Sequence, residues 1–169
     1  MVIANTQGLV AQIVFKMISG AEDRKDAVQE IYLKVFQHLA SFRFQSKLST
    51  WIARIAYNSC INSLRKKKNY VPIDGDDDFF GGYVNDTSDQ LHTEQAFLLK
   101  QLKTILAGAV EKLDPVYKTL ITLYHVEELS YAEISEITEL PEGTVKSYLF
   151  RARKILRDNL LRNYKREAL

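Results

Sequence analysis

Lys146, Ser147, Phe150, Arg151 and Lys154 recur along one side of a helical run near the end of the chain. Cations, a hydroxyl and an aromatic ring on one helix face are groups that meet phosphates and base edges in a DNA groove. Val145, Leu149, Ala152 and Leu156 fall at i, i+4, i+7 and i+11 on the opposite side, which faces inward. Ahead of them, Ser130 followed three residues later by Glu133 is a capping-box helix start, and Ile134 and Ile137 give that helix an apolar stripe. Pro141 and Glu142 suit the first turn of the second helix. A short helix, a tight turn and a longer helix with a basic outer face is the arrangement that enters a major groove. An ordinary amphipathic hairpin with a solvated charged face has the same spacing.

A second constellation lies in Ser41–Lys47, SFRFQSK. Phe42 and Phe44 flank Arg43, and Gln45, Ser46 and Lys47 follow. Rings interleaved with a cation and an amide suit stacking on an unstacked base; phenylalanines that plug a core are the plainer alternative. The helix expected from Leu48 to about Lys67 has Leu48, Trp51, Ile52, Ile55, Ala56 and Ser59 inside. Arg54, Asn58, Asn62, Arg65 and Lys66 line a polar, increasingly basic side. The Arg65–Lys68 run also has a local reading, because cations at a helix C-terminus gain about 0.3–1 kcal/mol each from the dipole.

These groups need helices to hold them. Leu9, Val10, Ile13, Val14 and Met17 mark a first helix that ends near Ser19–Gly20. A second runs from about Glu22 to Leu39, with Ala27, Ile31, Val35 and Leu39 in one stripe and Val28, Tyr32 and Phe36 beside it. Asp26, Gln29, Glu30 and Leu33 occupy another side, either as a partner surface or as a solvated acidic face. Tyr70 to about Gln90 is rich in aspartate and glycine, lacks Lys and Arg, and reads as a flexible acidic linker. Beyond it, Phe97, Leu99, Leu102, Ile105, Leu106, Ala109 and Leu113 support another helix. Asp114-Pro115 then opens one that contains Tyr117, Leu120, Ile121 and Tyr124.

The expectation is an all-α chain of two small helical domains, 1–70 and 93–169, joined by the linker at 71–92. Across 169 residues the net charge is only +2, so it is the clustering of cations, rather than their number, that points to nucleic acid. Cys60 is the single cysteine, which leaves no internal disulfide or cysteine-rich zinc site. His38, His92 and His125 are scattered and frame no carboxylate pair, so neither a metal, a cofactor nor catalysis is expected. No apolar run suffices to span a bilayer and no signal peptide is evident, so a cytoplasmic protein without membrane insertion is expected.

Two stretches resemble one family. Asp26–Lys68, DAVQEIYLKVFQHLASFRFQSKLSTWIARIAYNSCINSLRKKK, resembles sigma region two, and Leu113–Leu160 resembles sigma region four. In this order, with no region three between them, they resemble an extracytoplasmic-function (ECF) sigma factor of the sigma-70 family. The resemblance implies a transcription initiation factor that recognises and melts a minus-ten element and binds a minus-thirty-five element. It implies that Asp26, Gln29, Glu30 and Leu33 meet the largest subunit of core RNA polymerase, with region four near the flap of the second-largest. Phe42, Arg43, Phe44, Gln45, Ser46, Lys47, Ser49, Thr50, Trp51, Arg54, Asn58, Asn62, Arg65 and Lys66 would form the minus-ten surface. Thr144, Lys146, Ser147, Tyr148, Phe150, Arg151 and Lys154 would form the minus-thirty-five surface. An anti-sigma factor is the expected inhibitor.

The chain departs from the family pattern at several positions. Glu139 stands where such turns prefer Gly, which implies a wider or mildly strained turn. Ser135 replaces a small Ala, Tyr148 an Arg and Asn62 an Asp, while Ile52 follows Trp51 where housekeeping factors carry a Trp pair. The N-terminus looks a turn or two short. The rival reading is a stand-alone helix-turn-helix regulator that acts without polymerase, and it leaves the Asp26–Lys68 stretch unexplained.

Overall fold

The computed structural model describes residues 2–67 and 93–167. Seven helices and one 3-10 turn account for almost all of them: α1 (Val2–Met17), α2 (Ala21–His38), the turn Leu39–Ser41, α3 (Leu48–Lys66), α4 (Thr93–Glu111), α5 (Pro115–His125), α6 (Tyr131–Thr138) and α7 (Glu142–Glu167). Among the described residues there is no strand. The linker expected at 71–92 lies outside those described.

The α1–α2 corner is set by Gly20, whose φ of 96° is a left-handed value that a side chain would strain. Arg24 seals the corner. Its Nε donates to the Ile18 carbonyl at 2.7 Å, and its guanidinium lies 4.6 Å from the Phe15 ring centroid. Val10, Ile13, Val14 and Met17 of α1 then pack with Ile31, Tyr32 and Val35 of α2 and Ile52, Ala53, Ala56, Tyr57 and Cys60 of α3. Burial pushes the Cys60 thiol up to about 12.

The buried side of α3 is thus turned from the expected one. Ala53, Tyr57 and Cys60 are inside, whereas Trp51, Ile55 and Ser59 are half-buried. α3 packs against α1, α2 and α6, and the side that meets α6 carries Trp51, Arg54 and Asn58. On α2, Phe36 and Leu39, expected in or beside the inward stripe, are exposed together with Leu33.

In the second half α5 is enclosed on most of its surface, with Val116, Tyr117, Leu120, Ile121 and Leu123 buried. Asp114 caps it by accepting from the Val116 amide at 2.9 Å, and Pro115 occupies the first helical position, where no N–H is needed. The inward residues of α7 are Val145, Tyr148, Leu149, Ala152 and Leu156. Ala109 and Leu113 join this core, but Leu99, Leu102, Ile105 and Leu106 of α4 lie on the surface.

The two halves pack together. α1 lies against α5 and α3 against α6, and the buried apolar cluster includes residues of both halves. Lys16 hydrogen-bonds Glu111 across the α1 side, and Lys118 approaches the same carboxylate at 3.5 Å. Those two cations hold the Glu111 carboxyl below its ordinary range.

Candidate nucleic-acid interface

The loop before α3 builds an aromatic cleft. Phe42 turns inward against Trp51, with ring centroids 5.3 Å apart, and Phe44 tilts onto Phe42 at 4.7 Å. Phe44 has a φ of 56° and is 87% exposed, a strained backbone that holds a bare ring in solvent. A cleft of about 470 Å³ opens beside these rings, lined by Ser41, Phe42, Arg43, Gln45, Ser46, Trp51 and Arg54, and by Glu136 from α6. It offers an aromatic wall, two guanidinium groups and an amide, the chemistry that holds an unstacked base.

From the cleft the polar side of α3 continues through Asn58 and Asn62 to Arg65 and Lys66, the last three exposed. Arg43, Gln45 and Lys47 are exposed as well, and Ser46, Ser49 and Arg54 are half-buried. Thr50 stands apart, for it is buried on the inner side of α3. On α2, Asp26, Gln29, Glu30 and Leu33 all reach solvent, with exposed Phe36 beyond them. Lys34 hydrogen-bonds Glu30 at 2.6 Å and holds its carboxyl below the usual range, and the same ammonium reaches Ser59 of α3 at 3.1 Å.

The helix-turn-helix is α6, the turn Glu139–Pro141 and α7. Ser130 and Glu133 form the full capping box. Glu139 takes the left-handed conformation, φ 60° and ψ 20°, that the missing glycine implied. Ser135 does more than fit, since its hydroxyl donates to the Leu140 carbonyl at 2.6 Å and ties the turn to α6. Behind the motif Tyr124 stacks on Tyr131 at 4.9 Å, Arg153 lies 5.2 Å from the Tyr124 ring and Lys146 lies 5.3 Å from Tyr131. This fixes the position of α7 on α5 and α6.

On the outer face of α7, Lys146 and Lys154 are exposed, and Thr144, Ser147, Phe150 and Arg151 are half-buried. Tyr148 lies in the core, edge-on to Tyr117 at 5.7 Å. It sits one step round the helix from Ser147, on the side of Val145 and Ala152.

Sequence reasoning passes over the acidic edge of α6. Glu133 meets Lys47 at 2.7 Å, Glu136 lines the aromatic cleft, and Glu139 accepts from Asn58 Nδ2 at 3.3 Å. The Lys47 hydrogen bond, followed by those from Ser130, draws the Glu133 carboxyl down to about 2. Three glutamates three residues apart are visible in the sequence, but the helix they face is not. Among the described residues, no helix is long and apolar enough to cross a membrane.

Two family models match the chain, Sigma-70 region 2 over residues 2–70 and Sigma-70, region 4 over residues 103–156. Among curated proteins, the ECF RNA polymerase sigma factor SigW of Bacillus subtilis is 32% identical over 154 residues, covering 89% of this chain and 82% of that protein. The ECF RNA polymerase sigma-E factor of Escherichia coli is 32% identical over 162 residues, covering 92% and 83%. Among solved structures, the sigma factor RpoE of Bartonella quintana, crystallised with the anti-sigma factor NepR, shares the fold with a TM-score of 0.64 at 20% identity, covering 94% of this chain and 93% of that one. With both regions matched in order and these relatives covered over most of their length, the chain belongs to the ECF family of RNA polymerase sigma factors.

Proposed function

We propose that the chain is a transcription initiation factor that binds core RNA polymerase and directs it to particular promoters. The observation that carries this reading is the aromatic cleft at Phe42, Trp51 and Arg54, on the same chain as a helix-turn-helix with an exposed cationic face. One site suits an unpaired base and the other suits a duplex. A factor that opens DNA at one element while gripping another needs both.

The division of labour follows from the chemistry. Residues 1–70 act as region two and residues 93–169 as region four, with 71–92 as their tether. Lys146, Ser147, Phe150, Arg151 and Lys154 enter the major groove of the minus-thirty-five element, with Thr144 at the helix start. Arg54, Asn58, Asn62, Arg65 and Lys66 track the strand of the minus-ten element, and one base leaves its stack to enter the cleft. Unstacking costs a few kcal/mol, and a fitted pocket returns that energy only for a base it matches. Asp26, Gln29, Glu30 and Leu33 form the polymerase contact, a carboxylate and amide rim around an apolar residue. The chain performs no catalysis of its own, works in the cytoplasm and is held inactive by an anti-sigma factor. The stand-alone regulator gives the cleft and the α2 face no task, and family membership does not favour it.

The test is a pull-down of purified core polymerase followed by run-off transcription from a genomic fragment library. Stable association and discrete transcripts, both lost on Gln29→Ala with Glu30→Ala, support the proposal. Binding of duplex DNA by the chain alone, with no association with core, would sink it.

A further inference from the structure

A second groove, of about 370 Å³, lies between α2 and the last turns of α3. Its volume falls in the ~300–1000 Å³ range of small-ligand sites. Ser59, Asn62, Ser63, Arg65 and Lys66 line it from α3. Lys34 and Glu30 line it from α2. Asn62, Arg65 and Lys66 are shared with the proposed track of the minus-ten strand, the reading on which this inference rests. The groove therefore continues that track round α3 toward α2.

Every lining residue is polar or charged, and three cations against one carboxylate leave a net charge of +2. Cations, hydroxyls and an amide converging without an apolar wall suit a phosphate rather than a base. Lys34 carries the argument. Its ammonium donates to Glu30 at 2.6 Å and to Ser59 at 3.1 Å, which leaves a third N–H for the groove. The side chain is thus braced between two helices, and the entropy of ordering it is spent before a ligand arrives. The dipole at the end of α3 accounts for Arg65 and Lys66, but it gives no reason for a lysine on the neighbouring helix to point there. Glu30 is drawn down chiefly by Lys34, with Lys66 adding to the effect, so both ammonium groups bear on the same groove.

We propose that this groove holds one backbone phosphate of the promoter's minus-ten region, with Lys34 as a DNA contact supplied by α2. The family resemblance assigns α2 to the polymerase alone, and Lys34 is absent from the minus-ten residues it implies. Lys34, Arg65 and Lys66 take the phosphate oxygens, and Asn62 and Ser63 add neutral donors. Such a contact sets affinity and register and carries no base preference.

The test uses holoenzyme assembled from core polymerase and a saturating excess of the full chain, with a promoter duplex recovered from the run-off screen. The probes are this duplex and a set in which one phosphate at a time through the minus-ten region is an uncharged methylphosphonate. Lys34→Gln should bind the promoter about three- to tenfold more weakly at about 50 mM salt, with the salt slope reduced by about one unit. Lys34→Arg should restore the slope. In the parent one methylphosphonate position should bring a similar loss, and in Lys34→Gln that position alone should bring none. A lysine that only braces α2 on α3 would show no such masking. Lys34→Met, which keeps the stem, gives the same readouts if the glutamine variant does not fold.

An unchanged slope in the neutral variant overturns the proposal, as does a reduced slope that no single phosphate position masks. A loss that disappears at saturating variant places Lys34 in the polymerase contact and overturns it too. If the parent neither joins core nor yields a promoter, the initiation-factor reading falls and this inference falls with it. A parent that transcribes while Lys34→Gln matches its slope removes this inference alone.

Discussion

Lys47 Nζ stands 2.7 Å from Glu133 Oε1, a contact between residues 86 positions apart that joins the aromatic loop to the first helix of the DNA-binding motif. Glu133 thereby serves two structures. One of its oxygens takes the Lys47 ammonium, and the other accepts from the backbone and hydroxyl of Ser130 at the start of α6. The carboxylate that caps the helix also ties it to the opposite half.

This relationship gives the packed arrangement a pH window. The Glu133 carboxyl falls from an ordinary value of 4.5 to about 2, chiefly through Lys47, and Glu111 is lowered by Lys16 and Lys118. A carboxyl lowered on folding contributes its stability above the ordinary value and loses it as pH falls toward the shifted one. The contribution is therefore full at neutral pH and fades between 4.5 and about 2. At the alkaline limit Lys47, raised by the same partner, must lose its proton before the pair is lost. Trp51, the chain's only tryptophan, lies in the cleft that Glu136 lines and reports on separation of the halves. Its emission should change across the acid interval before helicity falls in far-ultraviolet dichroism. A signal that moves only together with helicity would count against the window.

The turn of the helix-turn-helix carries its own test. Glu139 holds φ 60°, a conformation that disfavours any residue with a Cβ. Left-handed backbone costs a side-chain-bearing residue about 1–2 kcal/mol, and glycine's extra unfolded entropy takes back roughly half. Glu139→Gly should accordingly stabilise the protein by about 0.5–1 kcal/mol in urea unfolding. A lower urea midpoint would show that the Asn58 contact outweighs the strain.

Most helices are legible in the sequence because their boundaries are local. The Ser130–Glu133 box, Asp114-Pro115 and the glycine at the α1–α2 corner each act within a few residues. The outward face of α7 is likewise set by the period of Val145, Leu149, Ala152 and Leu156. What the sequence does not supply is which side of α3 each neighbouring helix covers. Spacing alone places Trp51, Ile55 and Ser59 inside. Instead the buried stripe takes in Ala53, Tyr57 and Cys60, while α6 meets the side that carries Trp51, Arg54 and Asn58. Family position alone puts Tyr148 among the DNA contacts, although its spacing from Val145 and Ala152 already aligns it with the core.

Tyr148 separates packing from contact on α7. It is buried against Tyr117, so Tyr148→Ala should cost about 3 kcal/mol through a lost ring and a cavity. Tyr148→Phe keeps the ring and should leave duplex affinity unchanged. Lys146→Ala should instead weaken duplex binding across sequences and lower the salt slope by about one unit, as expected for one lost phosphate contact. A clear loss of duplex affinity in a well-folded Tyr148→Phe protein would put this hydroxyl back at the DNA surface.

Phe44 offers the sharpest contrast between stability and function. It is 87% exposed, so deleting its ring removes little from the core, and the left-handed backbone that presents it is strained whichever side chain it bears. Apart from its tilt on Phe42, the ring gains little from folding. Stacking on a base offers it more, about 1–3 kcal/mol for each base–aromatic pair. Phe44→Ala should therefore unfold within about 0.5 kcal/mol of the parent, as ordinary surface changes do. Its open-complex yield in run-off transcription should fall by about tenfold or more. Phe42→Ala is the partner experiment, since Phe42 packs on Trp51 and its removal should lower both stability and opening. Equal transcription from Phe44→Ala and the parent would make this ring a passive neighbour of Phe42 and leave Trp51 as the remaining candidate for stacking on the flipped base.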